Sequence, residues 1–333
     1  MENKTIAFFG CKDTTRFLIE NLNHLVNISQ IITVSPNKNL KINIPDYSDL
    51  KKIFGSKIKT YQVNRYDLND NDDIKTILNY QIDIAFCVGW QRLIPEQILK
   101  NIKIGVFGMH GSSQNLPKGR GRSPMNWSII EDRKTFYTNL FKYESGVDNG
   151  KILDTIKFSI TNKDNATTMH FKNMLAMKEI ITKQIDSLLR GDYVLKPQKK
   201  IKPSYYPKRN PDDSQIDWKM SINDIDRFIR AVSKPFNGSF TFLEDEKLII
   251  YEAQIFDDYQ FKYDKRINGE IVEVLNHAMF LIKCKGGTLL VKSYKYEKEI
   301  IKNSVLKTNY KTLKVFEKNK KGYYDLNKIE DGK

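Results

Sequence analysis

The chain has 333 residues, 40% apolar and 29% charged, enough for two domains that each bury a core of their own. Fifty-five Lys and Arg against forty Asp and Glu leave a net charge of +15, which suits polyanionic partners, although Lys, Asn and Ile abound throughout and bulk composition on solvated faces is the simpler source. No apolar run reaches membrane-spanning length, the run 6–9 is too short for a secretory signal, and Cys11, Cys87 and Cys284 lie far apart, against a disulfide framework or zinc cluster; the expectation is a reduced, cytoplasmic protein.

Residues 5–10 form a short apolar run ending in glycine, followed by a helical pattern through Phe17, Leu18 and Leu22 and a second apolar run at 30–34. Strand, helix, strand opens a parallel sheet. Residues 82–89 are a continuous apolar run of the kind buried on both faces of such a sheet, and Pro95 begins a helix. The next strand, 105–110, ends on a histidine. A Gly- and Arg-rich loop at 118–122 leads to Ser123 and Pro124, a cap and a first-turn proline that predict a helix through Trp127, Ile129 and Ile130. Residues 136–141 and 152–160 read as strands and 165–189 as a long helix. From 195 to 218 periodicity is lost among Pro197, Pro203, Pro207 and Pro211, the pattern of an ordered linker. Residues 221–232 are a short amphipathic helix, and 240–243, 248–253, 270–275, 279–283 and 288–294 are short strands with a hairpin turn at Gly286 and Gly287. The expected fold class is α/β: a Rossmann-like parallel sheet in a catalytic domain over 1–194, a linker over 195–218, a smaller OB-like β-barrel over 219–300 and a basic extension over 301–333 without an assigned role.

Nucleotide-binding fingerprints are missing. There is no P-loop, and the first strand leads into Gly10-Cys11-Lys12-Asp13-Thr14 rather than G-x-G-x-x-G. Of the four histidines, His24 and His170 fall in helical segments and His277 in a turn, positions of surface or satisfied residues. His110 stands at the carboxyl end of a strand, where ligands bind in open α/β sheets. Lys118, Arg120 and Arg122 precede a helix start, where orphan N–H groups and cations converge on an anion; the alternative is a glycine turn with its arginines in solvent. Lys12, after the first strand, is a further candidate for such a contact.

His110-Gly111-Ser112, the run 116–127 (LPKGRGRSPMNW) and the run 146–153 (GVDNGKIL) together resemble the signature of the 10-formyltetrahydrofolate-dependent formyltransferases. Residues 206–213 with 216–218, and 229–232 with 236–241, extend the resemblance to about residues 5–300, nearest the branch that acts on sugar nucleotides. The resemblance implies a catalytic pair, His110 and Asp148, and a folate loop of Gly89, Trp90, Arg92, Leu93, Ile94 and Pro95 together with Gly146. It further implies 10-formyltetrahydrofolate as donor, a nucleotide-linked amino sugar of surface glycan assembly as acceptor, no metal, substrate contacts that include Asn126 beside the cations named above, and a homodimer. Bland readings stand beside two of these: Asp148 lies in good turn chemistry, and Trp90 suits a core.

Formyl transfer to an amine passes through a tetrahedral intermediate. It needs a donor for the oxyanion and a group that carries a proton from nucleophile to leaving nitrogen. Imidazole beside a carboxylate serves both needs. The family places an asparagine on the formyl oxygen two residues before the histidine; here that position is Gly108, and the stretch 113–115 is two residues longer than usual. Asn115, Gln114 or the backbone N–H of Gly108 are the candidate replacements. The alternative within the family is methionyl-tRNA formyltransferase, whose long basic loop after the second strand has only Lys38 and Lys41 to match it here. A non-catalytic folate- or nucleotide-binding protein is a third reading.

Overall fold

The computed structural model describes residues 4–276 and 278–324, so His277 and the last residues of the basic extension lie outside the described residues. The chain packs as two compact units, neither of them contiguous. The first takes the residues up to Gly121 with Thr135–Phe158 and Phe171–Ser204; the second takes Arg122–Lys134, Ser159–His170 and the chain from Tyr205 onward.

In the first unit, β1 (Ile6–Phe9), β2 (Ile28–Thr33), β3 (Lys59–Gln62), β4 (Ile84–Cys87) and β5 (Gly105–Ser112) run parallel in the order β3-β2-β1-β4-β5. After the two-residue strand β6 (Arg120–Gly121), β7 (Thr135–Lys142) joins β5 antiparallel, and β8 (Ile152–Ser159) forms the far edge. Alternate residues of the apolar strands feed two separate layers. Ile6, Phe8, Phe86 and Phe107 pack with Leu18 and Ile19 of α1 (Asp13–Leu22) and with Ile180, Ile181 and Leu188 of α7 (Ala166–Arg190). Phe9, Ile32, Ala85 and Val106 pack on the other side with Ile77 of α4 (Asn71–Asn79) and Ile98 of α5 (Glu96–Asn101). Each fully buried Ile or Phe contributes about 1.5–3 kcal/mol.

Five elements of this unit are new relative to the sequence reading: β3, α2 (Pro36–Ile42), α3 (Leu50–Phe54), α4 and the two-residue β6. Local capping explains the helices. Ser35 Oγ accepts from Lys38 N ahead of Pro36, Asp49 caps α3, and Asp70 accepts from the N–H groups of Asp72 and Asp73. β5 also runs two residues beyond His110, because β7 continues to pair with it after its parallel neighbour β4 has stopped at Gly108.

The second unit gathers α6 (Pro124–Ile130), β9 (Tyr205–Tyr206), a 3-10 turn (Pro211–Ser214), α8 (Ile222–Val232) and five strands. These are β10 (Ser239–Leu243), β11 (Glu246–Asp257), β12 (Ile271–Leu275), β13 (Met279–Cys284) and β14 (Gly287–Lys295), in the order β10-β11-β14-β13-β12. Both outer strands are then covered by one stretch, 304–307. Lys307 exchanges backbone hydrogen bonds with Phe242 of β10, while Ser304 O and Leu306 N bond Ile271 and Gly269 at the start of β12. The sheet therefore closes on itself, and Leu306 joins Ile216, Trp218, Ile229, Leu248, Ile250, Phe280 and Val291 in its core. Part of the stretch that carried no role in the sequence reading thus bridges the two outer strands of the sheet.

The helix expected after Ser123 is present, but the serine side chain does not cap it. Ser123 is left-handed (φ 53°), and its Oγ accepts instead from Arg209 N at 3.1 Å. Trp127 Nε1 donates to Pro207 O and Asn126 Nδ2 to Ala231 O. The indole packs against Tyr206, Phe316 and Tyr324, with the Arg209 guanidinium 4.9 Å from its ring centre. Burial among these rings pushes the Arg209 pKa down to about 10.

Candidate active site

Past Gly108 the end of β5 has only β7 beside it, and there His110 turns its ring toward the loop that follows β7. Its Nδ1 lies 3.3 Å from Asp148 Oδ2, and its Nε2 lies 2.7 Å from the carbonyl oxygen of Gly119. Both side chains are largely buried, at 8% and 17% exposure, so the carboxylate faces the ring with little solvent between them. Asp148 has a left-handed backbone (φ 49°), and its turn is clamped from outside. Gln198 Nε2 donates to both Asp148 O (2.7 Å) and Gly150 O (2.9 Å), and Arg120 Nη2 holds Gln198 Oε1 at 2.6 Å.

The Gly- and Arg-rich loop closes over this pair. Gly119 donates its N–H to Ser204 Oγ, and Gly121 donates its N–H to Asp148 Oδ2. At Gly119 (φ 67°) a Cβ would overlap Ser112 Oγ, so only glycine brings this carbonyl onto the imidazole. Directly across the ladder from His110 is Asn139, fully buried, whose Oδ1 accepts from Thr155 Oγ1 at 2.7 Å. At Gly108 a Cβ would overlap the ring of Tyr143. Burial pushes the Cys87 thiol up to about 12, against a smaller opposing pull from Tyr143.

A family model described as formyl transferase matches residues 4–185, and one described as the formyl transferase C-terminal domain matches residues 208–309. The chain belongs to the formyl transferase family. It is 32% identical over 298 residues to the bifunctional polymyxin resistance protein ArnA of Wigglesworthia glossinidia brevipalpis, covering 86% of this chain and 44% of that one, so it spans less than half of that relative. Among solved structures it is similar to WlaRD, a sugar 3N-formyl transferase in the presence of dTDP and 5-N-formyl-THF, with a TM-score of 0.61, 19% identity, and 90% and 100% of the two chains covered. The N-formyltransferase from Helicobacter canadensis, in complex with folinic acid and dTDP-3-aminofucose, gives a TM-score of 0.61 at 17% identity over 88% and 100%. HypX from Aquifex aeolicus with tetrahydrofolic acid gives 0.65 at 14% identity over 93% and 47%. These likenesses concern the fold.

In this formyltransferase-family chain the stretch expected to hold folate begins at Gly89 (φ 72°) and is pinned from beneath. Trp90 is part of the core, edge-on to Phe9 and Tyr66, and its Nε1 has no partner among the described residues. Tyr66 Oη accepts from Gln91 N, and the Arg92 guanidinium lies 4.9 Å from the Tyr66 ring centre. Gln91, Arg92 and Leu93 are exposed, Ile94 is buried and Pro95 precedes α5, so the loop offers solvent those three side chains. Gly146 and Val147 are exposed at the rim of the Asp148 turn.

The remaining expected residues separate. Lys12 begins α1 and is bridged to Tyr47, beside Asp46, whose carboxyl burial pushes up against the pull of Lys12. Arg120 is engaged by Gln198, and Arg122 and Asn126 belong to the second unit, where the Asn126 amide is committed to Ala231. Asn115 is exposed and its carbonyl accepts from Lys118 N, while Gln114 Oε1 accepts from Ser204 Oγ. Sequence reasoning missed Gln198, Ser204, Asn139 and Tyr143; all act through tertiary pairing. Among the described residues no group of three or more His, Cys, Asp or Glu could hold a metal, and no helix is long and apolar enough to cross a membrane.

Proposed function

We propose that the chain is an N-formyltransferase that moves a formyl group from 10-formyltetrahydrofolate to the amine of a nucleotide-linked amino sugar. The observation that carries this is the His110–Asp148 pair, buried and clamped at the end of the parallel ladder. In the reaction a bond forms between the acceptor nitrogen and the formyl carbon, the bond from that carbon to folate N10 breaks, and one proton passes from the acceptor nitrogen to N10. His110 is the group placed to carry that proton, and Asp148 fixes the ring and stabilises its charged form while the intermediate collapses. The Gly119 carbonyl occupies Nε2 at 2.7 Å, so that nitrogen is open to substrate only where this contact is given up. Support for a sugar-nucleotide acceptor comes from WlaRD, described as a sugar 3N-formyl transferase, and from the Helicobacter canadensis N-formyltransferase in complex with dTDP-3-aminofucose. Use of the formylated sugar in surface glycan assembly belongs to the same reading.

The test is a mass-spectrometric assay of the purified chain with 10-formyltetrahydrofolate and a panel of TDP- and UDP-linked amino sugars, with charged methionyl-tRNA in parallel. One sugar nucleotide is expected to gain one formyl group. His110→Ala and Asp148→Asn are expected to lower kcat about 10²–10⁴-fold at unchanged melting temperature. Formylation of the tRNA alone would reverse the choice of acceptor, and variants that keep full turnover would remove the pair from the mechanism.

A further inference from the structure

Asn139 and His110 are directly opposed in the β5–β7 ladder, so their side chains leave the sheet on the same face. Asn139 is fully buried and its Oδ1 is held by the Thr155 hydroxyl, yet Nδ2 has no partner among the described residues. A buried amide that leaves its donor end unspent beside an imidazole calls for a ligand oxygen. Other donors are poorly placed: the Gly108 position has no side chain and its space is filled by Tyr143, Gln114 is tied to Ser204, and Asn115 faces solvent.

We propose that Asn139 is a catalytic residue whose Nδ2 donates to the formyl oxygen as that oxygen takes up negative charge, with Thr155 fixing the amide. The inference rests on the formyl-transfer reading above. Attack of the acceptor nitrogen pushes the carbonyl electron pair onto oxygen, and a donor already oriented in a dry site stabilises that charge without reorganisation. His110 is thereby left to the proton, and the two tasks fall to facing residues on neighbouring strands.

The experiment compares wild-type chain with Asn139→Ala, Asn139→Asp and Thr155→Val, using the amino sugar that the panel identifies. Asn139→Asp keeps the shape and an acceptor but loses the donor, so kcat is expected to fall about 10²–10³-fold with the KM for the amino sugar within a few-fold, and Thr155→Val is expected to fall less. A second readout needs no turnover. Calorimetry with 10-formyl-5,8-dideazafolate and with 5,8-dideazafolate should show the variants binding the unformylated compound as wild type does while losing affinity for the formylated one. If Asn139→Ala does not fold, the near-isosteric Asp variant carries both readouts. Wild-type turnover with an Asp variant of undiminished kcat, or unchanged binding of the formylated compound, overturns this inference and leaves the function standing. A wild type that neither turns over nor binds either folate overturns both.

Discussion

At Gly108 a β-carbon would overlap the Tyr143 ring, so the two positions are coupled: the strand carries no side chain because an aromatic ring from the end of β7 has taken the space. Restoring the family's asparagine by Gly108→Asn alone is therefore expected to be overpacked, at a cost of about 1–3 kcal/mol or more, and to lower the melting temperature. The double variant Gly108→Asn, Tyr143→Ala is expected to recover most of that loss. A double variant whose loss equals the sum of the losses of Gly108→Asn and Tyr143→Ala would show the positions to be independent. His110 was legible from its place at the carboxyl end of a strand, whereas Asp148 came only from the motif resemblance, since its turn residues alone read as an ordinary turn. Asn139 and Tyr143 left no such trace, since what gives them meaning is cross-strand register and a gap left by another residue. Ser123 was misread for a similar reason: the cap signal was local, but a left-handed backbone and Arg209 redirect the hydroxyl.

Among elements, α6 depends on a carboxylate at its own end. Burial alone would raise the pKa of Glu131, but hydrogen bonds from Lys318, Tyr206 and Arg133 hold it below the ordinary 4.5. A carboxylate depressed in the folded chain contributes stability that is complete above its unfolded value and is lost as pH falls through the lower folded value. The melting temperature of wild type is accordingly expected to exceed that of Glu131→Gln at neutral pH, with the gap narrowing below pH 4.5. A gap that stays constant with pH would show the ionised form to be irrelevant. Legibility follows burial at this scale. β1 and β4 were readable because both faces are apolar; β3 (KTYQ) is a half-exposed edge strand, and α4 starts in a polar stretch (NDNDDIKT) whose organising feature is the Asp70 cap.

For the whole molecule, the division into units cuts across chain order. Arg122–Lys134 and Ser159–His170 belong with residues far downstream: Asn126 and Trp127 bond Ala231 and Pro207, Thr167 Oγ1 bonds Lys234 O, and Arg230 Nη1 bonds Asp164 O. A fragment of residues 1–194 carries these stretches without their partners. It is expected to expose Trp127, which is 3% exposed in the full chain, and to elute as aggregate in size-exclusion chromatography. A monodisperse fragment with native-like near-ultraviolet circular dichroism would contradict this. Composition gave two cores and hydrophobic periodicity gave most of their strands, but a domain map drawn along the chain has no means of registering segments that are exchanged between units.

Closure of the barrel by residues 304–307 also sets a schedule for the growing polypeptide. β10 ends at Leu243, and the stretch that pairs its free edge arrives only at Ser304, so at ordinary synthesis rates of 5–20 residues per second that edge stays open for about 3–12 s. During those seconds a strand of Phe, Thr and Leu presents unpaired N–H and C=O groups beside every other chain on the same polysome. The hazard belongs to biosynthesis, and slowing translation between these two points would lengthen it while leaving the finished fold unchanged.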